Sequence, residues 1–182
     1  MVITPFQNGG LKCQVSDFSL LVDAPAGSRG EVSLRTKTDW PFKESEEIKT
    51  AGEYEIGGLR VTGFNLENES DPKSLRNVFL ANFDEIKLCF LGELKSDLPE
   101  AVLDRLSEID ILFMPVGGPA LEAKKAVSLV KRLEPSLTVY FPCADLKALA
   151  AELGQKPEVL DKLSLKKKDL SGLSSRSVVF PS

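Results

Sequence analysis

The 182-residue chain contains no histidine. Imidazole is the usual side chain for proton transfer near neutral pH and a principal zinc ligand. Its absence excludes Ser-His-Asp and Cys-His nucleophile systems, histidine acid–base chemistry and every imidazole metal site. Lysine- or carboxylate-based chemistry stays open. Cysteine is scarce: Cys13, Cys89 and Cys143 are odd in number, far apart and without a CxxC spacing. They read as free thiols of a reducing compartment, not as a disulfide frame or zinc cluster. No apolar run nears the ~20 residues needed to span a bilayer. The start, Met1-Val2-Ile3-Thr4-Pro5-Phe6, lacks the basic and apolar stretches of a signal peptide. A cytoplasmic address without membrane contact is expected. A basic excess is missing too. With 23 basic and 27 acidic side chains the formal charge is −4, which argues against nucleic acid as a partner. The one basic run, Lys166-Lys167-Lys168, reads as a solvated edge or loop.

What remains is an ordinary globular balance, 42% hydrophobic and 27% charged, and a length suited to one domain over residues 1–182. Hairpins are expected at Leu11–Val15 with Phe18–Val22, at Gly52–Ile56 with Leu59–Phe64, and at Asn77–Asn82 with Ile86–Leu91, because apolar and polar residues alternate on either side of turn formers. Glu31–Leu34 reads as a short strand. Arg35–Ser45 has no clear period. From residue 98 the rhythm changes. Helices are expected at Leu98–Glu108 with Asp97 as N-cap, at Leu121–Leu133 and at Asp145–Leu153, alternating with buried strands at Ile111–Val116 and Leu137–Phe141. A last strand pair near Leu163–Leu165 and Ser177–Phe180 closes the chain. Hairpins first and strand–helix alternation afterwards imply two stacked sheets with helices outside, an α/β (α+β) class.

Five stretches carry a family resemblance. Gly52-Glu53-Tyr54-Glu55-Ile56-Gly57-Gly58 is similar to the "GEYEI-GG" hairpin of small metallo-β-lactamase-fold hydrolases, the bacterial and archaeal branch near the ascorbate-6-phosphate lactonases. Leu20-Leu21-Val22-Asp23-Ala24-Pro25 resembles the family's "iliDP" strand end. Asn77–Leu80 with Lys87–Leu94 resembles its "hydrophobic-GDL" hairpin. Ile109–Gly118 resembles "IDILFVPVGG", and Ala123–Ala126 with Glu134-Pro135 resembles the following helix and turn. The fold so implied is the αββα four-layer sandwich.

The resemblance also implies a zinc-dependent hydrolase site built from a His-x-His-x-Asp-His loop, two later histidines and an aspartate bridging two metals. Arg35–Pro41 stands where the loop should be, Asn65–Asn68 where the next histidine should be, and Pro142-Cys143 where the last should be. The bridging aspartate falls on Glu93. Glu93 then reads either as a lone metal ligand or acid–base group, or as a relic that caps a loop or pairs with a cation. Asp39 and Asp71 are the other carboxylates that could join it. Trp40 and Phe42 flank Pro41 in the altered loop. The expectation is that they cover the vacated cleft, with Asp39 beside them; facing a partner is the alternative. Gly117-Gly118 is expected to serve the backbone turn and not an anion, and Cys143 to be a small strand-end residue. Together these readings describe a metal-free, cofactor-free and non-catalytic member of the fold, acting through a protein partner or self-association. A hydrolase or lactonase with an oxygen-ligated metal, or a small-molecule sensor using the old pocket, is the alternative.

Overall fold

In the computed structural model, residues 1–41, 45–173 and 175–181 are described. Period-two patterning places β1 (Val2–Pro5), β2 (Leu11–Val15) and β3 (Phe18–Val22) in an antiparallel meander, to which β4 (Val32–Leu34) adds in parallel. A short strand that the sequence pattern does not announce follows. β5 (Lys37–Asp39) lies antiparallel to the first residues of β8 (Ser74–Phe83), with Lys37 opposite Arg76. β6 (Gly52–Ile56) and β7 (Leu59–Asn65) form the expected hairpin, and β8 turns into β9 (Ile86–Phe90).

The C-terminal half follows the strand–helix rhythm. It comprises α1 (Glu100–Leu103), β10 (Ile111–Val116), α2 (Ala123–Leu133), β11 (Leu137–Cys143) and α3 (Leu146–Leu153). Then come β12 (Glu158–Val159), β13 (Leu163–Ser164), α4 (Lys167–Leu170) and β14 (Arg176–Val179). The small sheet has the order β13-β1-β2-β3-β4. The large sheet runs β12-β14-β11-β10-β9-β8-β7-β6, with β5 attached to β8. The mixed α/β sandwich expected from the sequence is the fold the chain forms.

Strands β9 to β11 explain why their sequences are apolar without alternation. Phe90, Ile111, Phe113, Val139 and Phe141 face the small sheet, where Ile3, Leu20 and Val22 meet them. Cys89, Leu112, Met114 and Tyr140 face the opposite way, against Val127, Leu133 and Leu149 of the helices. Both faces are covered, so both need apolar side chains; each large one contributes about 1.5–3 kcal/mol on burial. Helix α2 buries Ala126, Val127, Val130 and Leu133 and turns Lys124, Lys125, Lys131 and Arg132 to solvent. Asp145 caps α3 by accepting from the Ala148 N–H at 2.9 Å, and Gly154 ends it at φ +68°.

Two expectations need correction. The helix expected over Leu98–Glu108 is a single turn, α1, preceded by Pro99, and Asp97 is not its cap. Beyond it the backbone tightens: the Leu106 N–H reaches both Val102 O and Leu103 O, and Glu108 takes φ +56°. Leu98, Val102, Leu106 and Ile109 are nonetheless buried, so the apolar spacing reported burial and not helix length. The C-terminal strands do not pair with each other: β13 joins β1 in the small sheet and β14 joins β11 in the large one. The Lys166–Lys168 run is exposed, as expected, and Lys167 Nζ sits 2.6 Å from Asp110 Oδ2. Among the described residues no helix is long and apolar enough to cross a membrane.

Candidate functional site

A cleft of about 210 Å³ opens where the ends of β9, β10 and β11 meet the small sheet. In α/β sheets this end of the strands is where ligands usually bind. Phe90, Phe113 and Phe141 form its floor, with Leu11, Val22 and Pro142 beside them; Asn8, Asp23, Thr36, Lys37 and Glu93 supply the polar groups. The Phe90 and Phe113 rings stack at 4.7 Å, and Phe141 meets Phe180 edge-on at 5.8 Å, so the floor is rigid.

Asp23 turns the chain at the end of β3, at φ +50°. One carboxylate oxygen accepts the Thr36 N–H at 2.9 Å and the other accepts the Thr36 hydroxyl at 2.6 Å. Asn8 donates to the Asp23 carbonyl at 3.0 Å, and the Asp23 N–H donates to Leu34 O at 3.0 Å. Burial pushes the Asp23 carboxyl above its ordinary value of 3.8; the two Thr36 bonds and Arg35 pull it back, and the charge of Glu93 adds to the rise. Two glycines make this corner possible. A Cβ at Gly10 would lie 2.7 Å from the Asp23 carbonyl carbon, and one at Gly92, which has φ +61°, would lie 2.6 Å from Thr36 Cβ.

Glu93 follows Gly92 and is half-exposed. Its Oε2 lies 3.5 Å from Arg76 Nη1, and the same nitrogen lies 3.5 Å from the Glu93 carbonyl. The Arg76 side chain is only 10% exposed, so β8 delivers a buried guanidinium beside the carboxylate on which the resembled family's bridging aspartate falls. Lys37 stands opposite Arg76 across the β5–β8 pairing, on the ridge between this cleft and a neighbouring groove.

The other sequence candidates do not join Glu93. Asp39 lines that neighbouring groove, with Arg35, Glu47 and Lys49, and not the cleft. Asp71 caps its own turn: its Oδ1 accepts the Lys73 and Ser74 N–H groups at 2.6 and 2.8 Å, which holds the carboxyl below its ordinary value. Trp40 is not among the residues that line the cleft. Strand β5 ends before it, its N–H is pinned to Lys73 O at 2.6 Å, and 56% of the residue remains exposed. Phe42 lies outside the described residues. The Trp40→Ala variant is therefore expected to change stability by less than about 1 kcal/mol, the scale of surface substitutions. Acrylamide should readily quench the emission of this only tryptophan; a shielded, blue-shifted emission would restore the covering role.

The remaining candidates are structural. The Gly117 N–H donates to Leu121 O at 2.8 Å at φ +77°, so the glycine pair shapes a turn. Burial raises the Cys143 thiol, and pushes Cys13 up to about 12, which makes both poor nucleophiles. The loop where the resembled family has a histidine is tied down by ordinary contacts: Asn68 donates to Ser96 Oγ at 2.9 Å, and Glu69 accepts the Lys95 and Ser96 N–H groups at 2.7 and 2.6 Å.

Sequence reasoning missed Thr36 and Lys37 as cleft groups and Arg76 as the partner of Glu93, and treated Asp23 only as part of a strand end. Asp23 had a signal, an acid directly after an apolar strand. Arg76 had a weaker one, a cation at the head of the apolar run beginning at Asn77.

This donor set does not fit a zinc pair. Zinc is held by imidazole, thiolate and carboxylate in tetrahedral sets, whereas the cleft offers two carboxylates, each already partnered, beside two cations. Among the described residues no group of three or more histidine, cysteine, aspartate or glutamate side chains could hold a metal ion.

With this geometry in place, comparison with known proteins gives the family. Residues 30–141 match the family described as the beta-lactamase superfamily domain. The fold is similar to that of a candidate Zn-dependent hydrolase of the metallo-beta-lactamase superfamily from Thermotoga maritima (20% identity, TM-score 0.78, 99% of this chain and 98% of that one). It is also similar to a candidate metal-dependent hydrolase from Parabacteroides distasonis (16% identity, TM-score 0.64, 96% and 91%), and to the metallo hydrolase Igni18 from Ignicoccus hospitalis (12% identity, TM-score 0.65, 91% and 99%). At these identities the structural likeness speaks for the fold alone. No curated protein matches the chain. The chain belongs to the beta-lactamase superfamily.

Proposed function

We propose that this chain is a metal-independent, non-hydrolytic member of the superfamily that works by binding, and that the cleft over Phe90, Phe113 and Phe141 is kept as a small-molecule site. One observation carries this: each carboxylate at the cleft is already engaged within the chain, Asp23 by Thr36 and Glu93 by Arg76. A divalent cation entering here would have to displace these partners and approach a guanidinium and an ammonium. Like charges at such range in a partly desolvated site cost several kcal/mol. The metal dependence in the names of the solved relatives therefore does not carry over, since activity follows the site and not the fold. Trp40 is 56% exposed and does not line the cleft, which favours a site for a bound ligand over one filled by this side chain. A hydrolase with an oxygen-ligated metal would need a third converging ligand, and Asp39 faces another groove.

The test is metal content. Protein incubated with zinc and then desalted is expected to carry well under one zinc ion per chain by elemental analysis, and its melting temperature should be insensitive to EDTA. A stoichiometric zinc ion, with a chelator-dependent fall in melting temperature, would overturn the proposal.

A further inference from the structure

From the same cleft we infer a ligand class: a small monocarboxylate with an aromatic or branched apolar body, its anion held by Lys37 and its body laid on the phenylalanine floor. This rests on the proposal that the cleft binds a small molecule, and it goes further in fixing the charge of the occupant. Three charged side chains line the cleft. Asp23 accepts two hydrogen bonds from Thr36, and Glu93 is paired with Arg76. Lys37 is exposed, and among the described residues it forms no ion pair. The unsatisfied charge at the rim is thus positive. Behind it, the Glu93 carboxylate faces Arg76 at 3.5 Å and the Asp23 carboxylate is turned onto Thr36, so both acidic groups are directed at partners within the chain while Lys37 is left to meet an anion.

Size and shape restrict the rest of the ligand. About 210 Å³ is below the ~300–1,000 Å³ of drug-sized sites. It accommodates a single ring or short branched chain. The floor is apolar, and Phe90, Phe113 and Phe141 present only 1%, 3% and 5% of their surface, so it meets a small apolar body with little area. A phosphate monoester of the same body would carry close to two charges against one lysine, so the carboxylate is the better match.

Benzoate is the probe, with benzyl alcohol as its neutral counterpart and benzylamine as its cationic one. Amide shifts of the isotope-labelled full chain are followed at Gly9, Thr36 and Gly92 during titration. Benzoate is expected to shift these residues saturably and to bind about tenfold more tightly than benzyl alcohol, the worth of one charge-assisted contact. Lys37→Met should remove that advantage while leaving benzyl alcohol binding unchanged. Lys37→Arg should retain it, and Lys124→Met, on the exposed face of α2, should have no effect. If benzylamine or benzyl alcohol binds the same residues as tightly as benzoate, or if Lys37→Met binds benzoate undiminished, the anion class is wrong although the cleft remains a site. If none of the three probes shifts these residues, both this inference and the binding role of the cleft fall.

Discussion

Gly92→Ala is expected to lower the stability of the chain by about 2–4 kcal/mol, from two independent sources. The residue holds φ +61°, where an L-residue with a Cβ pays roughly 1 kcal/mol or more. The added methyl would also lie 2.6 Å from Thr36 Cβ and against its hydroxyl oxygen, and overpacking of this kind costs about 1–3 kcal/mol. Thr36 has little freedom to retreat. Its N–H and hydroxyl are bonded to Asp23, and its carbonyl accepts the Asn77 N–H at 2.8 Å. Gly58→Ala separates the two sources: Gly58 has φ +84°, but a Cβ there meets nothing within 4 Å, so only the backbone cost of about 1 kcal/mol applies. Urea denaturation of both variants reads the difference. Equal losses would mean that the cleft wall yields to the methyl at no cost and that the Asp23–Thr36 corner is soft.

The parts of this molecule legible in the sequence are those where burial leaves a local mark. The Ile111–Val116 and Leu137–Phe141 runs are apolar because both faces of β10 and β11 are covered, and that can be read from either run alone. The Gly52–Phe64 hairpin is legible for the same reason, its turn and alternation lying within a dozen residues. Strand β5 is not legible: Lys37-Thr38-Asp39 has no apolar member, and it is a strand because Ser74–Arg76 of β8 offers it backbone partners. The cleft was visible only in outline. The family resemblance pointed to Glu93, but its partner Arg76 is 17 residues away, and Thr36 is 13 residues from Asp23; neither spacing has a period that a sequence pattern would reveal. Trp40 shows the limit most plainly. Its place in the altered loop suggested a cover, with exposure to a partner as the alternative, and 56% of the residue is exposed.

The second large effect is expected at Asp23, and it changes with pH. Asp23→Ala removes both acceptors from Thr36, leaving a buried N–H and hydroxyl without partners, each worth about 1–3 kcal/mol. It also places alanine at φ +50°, a conformation that Asp and Asn tolerate better. A loss of about 3 kcal/mol or more is expected near neutral pH. Asp23→Asn keeps the shape: the amide oxygen accepts the Thr36 N–H, and the amide nitrogen donates to the Thr36 hydroxyl oxygen. It also removes a charge that burial opposes. Because burial raises the folded-state value above 3.8, the unfolded chain releases this proton first as pH rises. Over that interval the native state binds more protons than the unfolded one, so the wild-type residue contributes stability in acid that is lost as pH climbs through the folded value. Asn has no such proton. Relative to Asp23→Asn, the wild type should therefore be most stable at about pH 3 and lose ground towards about pH 7, as read by urea midpoints along that range. If the wild type instead gains on Asp23→Asn as pH rises, the carboxylate is held ionised, and Thr36 and Arg35 outweigh burial. The Glu93 side of the cleft would then face a second fixed negative charge, which would weaken the case for an anionic occupant.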